Sequence, residues 1–89
     1  MIDNNIVLDC VNRASSKYSK LTLDKIDGNQ IFIHGGLNGN GDWLDYLGDL
    51  TDLIDNLQEH FNLVWIYKFD VDSLDDVFDI QIGVDNVNG

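Results

Sequence analysis

The chain has 89 residues, a formal net charge of −11, 44% apolar residues, and two Trp, three Tyr and four Phe. That length leaves room for one domain spanning residues 1–89, and the aromatic content sets it apart from disordered acidic tails. Cys10 is the only cysteine, so a disulfide framework is excluded and a reducing cytoplasm is expected. No apolar run approaches the ~20 residues that span a bilayer, and Met1 to Asn5 lack the basic start of a signal peptide.

Residues 4–18 have the spacing of a helix, with Asp3 as its cap and Val7, Val11, Ala14 and Tyr18 on one face. Cys10 falls beside that face. Leu21 to Ile26 reads as a strand, Asp27-Gly28-Asn29 as a turn and Gln30 to His34 as a second strand. The glycine-rich stretch 35–41 reads as a loop. A long helix is expected from Asp42 to Phe61, with an apolar stripe of Trp43, Leu47, Leu50, Ile54, Leu57 and Phe61. Leu63 to Asp70 reads as a strand with Leu63, Trp65, Tyr67 and Phe69 on one face. An acidic turn follows over Val71 to Asp76. Val77 to Val84 reads as the last strand, with Phe78, Ile80, Ile82 and Val84 facing the core, before a frayed tail at 85–89. The order α-β-β-α-β-β predicts an α+β fold, a four-stranded, mainly antiparallel sheet with two helices on one face.

The charge is unevenly placed. Residues 1–41 hold four acids and four bases, whereas residues 42–89 hold twelve acids and one base, Lys68. Such asymmetry suggests an interaction surface. It argues against direct binding to nucleic acid or an anionic membrane, which need a basic footprint, and favours a cationic partner. On the long helix, Asp42, Asp45, Asp49, Asp52, Asp55 and Glu59 form a ridge opposite the apolar stripe. Its length, ~25 Å, is comparable to a short run of nucleic-acid phosphates. Asp70, Asp72, Asp75, Asp76 and Asp79 add a flanking patch.

The plain alternative is a solvated helix face. Against it, this ridge carries no Lys or Arg of its own, and its like-charge spacings cost roughly 1–2 kcal/mol in all. Fifteen of the sixteen acids are also Asp, the poorer helix former.

Gly41-Asp42-Trp43-Leu44-Asp45-Tyr46-Leu47-Gly48-Asp49 resembles the barstar-family motif Gly-x-Asn-Leu-Asp-x-Leu-Trp-Asp, with Trp43 and Gly48 at its Asn and Trp positions. Ile26-Asp27-Gly28-Asn29-Gln30-Ile31 and Asn62-Leu63-Val64-Trp65-Ile66 are similar to a strand turn and a later central strand of that family. The resemblance implies that Asp45 and Asp49 plug the basic active site of a ribonuclease. In size and charge alone, the chain also resembles small phage-encoded inhibitors of the DNA-mimic and anti-CRISPR type.

Other constellations point to no chemistry. His34-Gly35-Gly36 is similar to the oxyanion segment of some lipases, but no Gly-x-Ser-x-Gly nucleophile elbow accompanies it. Asp70 to Asp76 resembles the start of an EF-hand without its central Gly and distal Glu. The 35–41 loop lacks the Lys of a P-loop. No catalytic residue, metal or cofactor is expected.

The expected function is a small, non-enzymatic acidic inhibitor that blocks the basic nucleic-acid-binding site of a partner protein or nuclease complex. The alternatives are a barstar-like nuclease immunity protein and a homodimeric interaction module. Leu44, Tyr46 and Leu53, which flank the apolar stripe, would serve as the module's interface if exposed.

Overall fold

The computed structural model describes residues 2–15, 19–37, 43–72 and 74–85, apart from the side chains of Leu37, Trp43 and Asp45. In chain order the elements are α1 (Asn4–Ala14), β1 (Ser19–Asp27), β2 (Gln30–Leu37), α2 (Trp43–Gln58), β3 (Val64–Asp72) and β4 (Val77–Val84). The strands form one sheet in the order β1-β2-β4-β3, and every neighbouring pair is antiparallel.

The Asp3 carboxylate caps α1 by accepting from the Asn5 N–H at 2.8 Å. The helix ends at Ala14, where the Ser15 hydroxyl accepts from the Leu21 N–H at 2.9 Å and ties the exit of α1 to β1. Tyr18 and residues 16–18 of the longer expected helix lie outside the described residues. A two-residue turn, Gly28-Asn29, joins β1 to β2 at the Asp27–Gln30 pair. Gly28 has φ +62°, the left-handed conformation such a turn needs.

Val7, Cys10, Val11 and Ala14 of α1 pack with Tyr46, Leu53 and Leu57 of α2 over the inward face of the sheet. Leu21, Ile31, Ile33, Phe78, Ile80, Ile82 and Val84 supply that face. Cys10 is fully buried, inside the face it was expected to flank.

One difference from the sequence reading concerns glycine. Strand β2 runs on to Leu37, so Gly35 and Gly36 are strand residues and not loop. Gly35 pairs directly with Phe78, and a Cβ on Gly35 would collide with that ring. The bare strand position makes room for the aromatic side chain. Gly83 does the same for Trp65, its partner on β3, on the opposite face of the sheet.

The two outer strands each carry one bulge, at Asp24 in β1 and at Tyr67 in β3. The second bulge overturns the expected face of β3. Leu63, Trp65, Tyr67 and Phe69 do not share a side, because the extra residue shifts the alternation. Trp65 pairs with Gly83 on the outer face. Ile66, Phe69 and Val71 pair with Ile82, Ile80 and Phe78 on the helix side.

Candidate functional site: the acidic and apolar surfaces of α2, β3 and β4

The rotation of α2 decides which of its acids reach solvent. Asp49 is only 6% exposed and accepts from the hydroxyl of Ser19 at the start of β1. Asn56 donates to the Cys10 carbonyl at 3.2 Å. Just past the helix end, Glu59 meets Arg13 at 3.3 Å. These three positions mark the flank of α2 turned toward α1 and β1. Tyr46, Leu53 and Leu57 occupy the buried centre, Leu50 and Ile54 are half-buried, and Leu47 is 55% exposed.

The apolar stripe is therefore rotated from the expected one. Tyr46 and Leu53, expected at its exposed edge, are core residues, and Leu47 is not. The apolar arc of α2 is wider than the surface beneath it. Partners for Asp49, Asn56 and Glu59 on one flank settle which part of the arc goes inward. Of the three proposed interface residues, only Leu44 is exposed.

The acidic ridge is correspondingly broken. Asp42 and the Asp45 side chain lie outside the described residues, Asp49 is buried, and Glu59 is paired with Arg13, which also meets Asp9 at 3.3 Å. The hydrogen bond to Glu59 raises the Arg13 pKa. Asp52 and Asp55 remain exposed on the helix. Burial removes from the surface one of the two aspartates, Asp49, that the barstar resemblance would use as a plug.

The β3–β4 hairpin carries the second set. On its outer face Asp70 pairs with Lys68 at 3.4 Å, and Asp79 accepts from His34 Nδ1 at 2.9 Å. Lys68, Asp70, Asp79, Asp24, Phe32 and Gln81 line a shallow hollow of about 200 Å³, below the roughly 300–1,000 Å³ of typical ligand pockets. At the hairpin turn the Asp72 carboxylate accepts from the N–H groups of Leu74 and Asp75 at 3.0 and 3.3 Å. Asp75 and Asp76 are exposed. The Tyr46 hydroxyl donates to the Asp76 carbonyl, which brings this turn against the N-terminal half of α2. Asp52, Asp55, Asp75 and Asp76 have no ion-pair partner among the described residues.

The sequence reading missed a second surface. On either side of the bulge, the helix-side face of β3 is exposed: Ile66, Phe69 and Val71 are 46%, 39% and 50% exposed. Phe69 stacks on Phe78 with ring centroids 5.5 Å apart, and Phe78 meets Tyr46 edge-on at 4.2 Å. This aromatic run links α2 to β3. The signal in the sequence is the run Leu63-Val64-Trp65-Ile66-Tyr67, too apolar for a strand with one solvated face.

Among the described residues, no group of three His, Cys, Asp or Glu side chains is placed to hold a metal ion. No described helix is long and apolar enough to cross a membrane. Comparison with protein-family models, curated proteins and solved structures gives no match.

Proposed function

We propose that the chain is a non-enzymatic acidic inhibitor that docks on the basic nucleic-acid-binding site of a partner protein, in the manner of phage anti-defence or anti-CRISPR mimics. The observation that carries this reading is the exposure of Asp52, Asp55, Asp75 and Asp76, with no cation set against them among the described residues. Lys68 is the only base in residues 42–89, and it is turned toward Asp70.

Unpaired, exposed carboxylates create a negative field that steers a cationic surface into encounter. They also resemble a phosphate track in presenting charge without donors. The role assigned to the six-residue ridge passes to these four carboxylates and to Asp72 at the same turn, while Asp70 and Asp79, paired with Lys68 and His34, lie on the outer face of the sheet. A groove that already binds phosphates offers the matching row of Lys and Arg.

The test is capture of the target from bacterial lysate at low salt, with elution by a salt gradient. A variant carrying Asp52→Asn, Asp55→Asn, Asp75→Asn and Asp76→Asn is run beside the wild type. The reading requires that the wild type hold a nucleic-acid-binding protein, that added DNA or RNA displace it, and that the variant release it at much lower salt. Elution of both proteins at the same salt would overturn it.

A further inference from the structure

Resting on that reading, we propose that the partner contributes an amphipathic segment with basic flanks, and that its apolar face fills the groove between α2 and β3. Leu47, Leu50 and Ile54 form one wall. Ile66, Phe69 and Val71, on the helix side of β3, form the floor. The wall is located by elimination on the helix. Asp49, Asn56 and Glu59 point to α1 and β1, and Tyr46, Leu53 and Leu57 point into the core. The remaining apolar flank faces the other way, and the strand order β1-β2-β4-β3 puts β3 on that side.

A groove with two apolar sides and no cover among the described residues is a docking surface, and its rim selects the occupant. Asp55, next to Ile54 in α2, is exposed, and Asp72 and Asp75 are exposed at the turn beyond Val71. A segment entering this groove meets apolar contacts below and carboxylates above, the arrangement that fits a helix with Leu-like residues on one face and Lys or Arg at its edges.

A second copy of the chain fits less well. It would bring another −11 of charge to the same rim. It would also have to pair along an edge strand interrupted by the Tyr67 bulge and carrying Lys68, two features that discourage strand addition.

The probe is a synthetic 18-residue peptide of Leu and Lys, patterned so that every Leu falls on one helical face. A scrambled peptide of the same composition serves as control. Binding is followed by fluorescence anisotropy and mapped by amide shifts in a ¹⁵N-labelled sample. The patterned peptide should bind one-to-one, shift the amides of Leu47, Ile54, Phe69 and Val71, and outbind the scrambled peptide at least tenfold. The double variant Leu47→Asn, Val71→Asn, which changes two exposed side chains, should lose at least tenfold in affinity for the patterned peptide.

Equal binding of the two peptides would overturn the inference, as would shifts confined to Lys68, Asp70, Asp79 and Gln81 of the outer face. A dimer by light scattering in the absence of peptide, with the groove amides protected, would also overturn it and give the groove to a second copy. The two proposals fail separately. The four-fold Asp→Asn variant eluting from the lysate partner like the wild type sinks the acidic docking. Unchanged peptide affinity of the groove variant sinks the groove.

Discussion

The Ser19 hydroxyl, at the first residue of β1, donates to the Asp49 carboxylate in the middle of α2, and both side chains are buried. This contact fixes the helix's rotation over the sheet. Removing the carboxylate would take this bond from a buried hydroxyl and leave a void. Asp49→Ala should lower the unfolding free energy by about 1–3 kcal/mol. Asp52→Ala, one turn on and exposed, should stay within about 0.5 kcal/mol. Urea denaturation of the two variants compares them, and equal costs would mean that Asp49 stands in solvent like its neighbour.

The two aromatic side chains that lie over strand glycines make a second prediction. A methyl group at Gly35 would displace the Phe78 ring, and one at Gly83 would displace the Trp65 indole. Gly35→Ala disturbs the core and should cost about 1–3 kcal/mol. Gly83→Ala acts on the outer face, where Trp65 can swing into solvent. Its cost should be smaller, and its mark should be a red shift in tryptophan emission. Unchanged melting temperatures for both variants would contradict the placement of both rings.

Backbone conformation separates two turn residues with opposite expectations. Gly28 (φ +62°) and Asp76 (φ +55°) are both left-handed. Gly28→Ala should destabilise by about 1 kcal/mol, because a Cβ is disfavoured there. Asp76→Gly relieves the same strain and should be neutral or stabilising by up to about 1 kcal/mol, even though glycine makes the unfolded chain more flexible. The Tyr46 hydroxyl bonds the Asp76 carbonyl, which the substitution keeps. Denaturant midpoints check both signs.

Burial pushes the Cys10 thiol above its ordinary value of 9.0, although the nearby Arg13 opposes the shift. In the unfolded chain the thiol ionises first, so the folded state binds more protons in that range. The stabilisation is fully present below the unfolded pKa and is lost as pH rises toward the folded one. Stability measured from pH 8 to 10 should therefore fall more steeply for the wild type than for Cys10→Ala. The same burial should keep the thiol inert to alkylation until the protein unfolds.

The element order, the β4 face and the α1 cap were legible in the sequence because each depends on local signals. Asp3 precedes a helical period. Phe78, Ile80, Ile82 and Val84 alternate without interruption, and the structure buries all four. The rotation of α2 was not legible. Tyr46-Leu50-Leu53-Leu57 repeats as regularly as Leu47-Leu50-Ile54-Leu57, and only contacts with Ser19, Cys10 and Arg13, distant in the chain, decide between them. The faces of β3 were hidden for a similar reason. A bulge at Tyr67 is a property of the pairing with β4, not of the strand's own alternation. The acidic site inherits both errors. The six-membered ridge assumed one rotation, and the carboxylates left exposed and unpaired come from α2 and the hairpin turn together.

The sheet order has a consequence for how the chain is made. Strand β4 lies between β2 and β3, yet it is the last of the six elements to leave the ribosome. Until then β1 and β2 have only their own hairpin, and β3 has no neighbour for its backbone groups. The nascent chain therefore presents β3, aromatic and unpaired, from its own emergence until β4 follows, and β4 joins the two parts in a single closing step. A message that stops short of Val77 would yield a helix pair and a hairpin with no sheet to hold them, a natural substrate for chaperones and proteases.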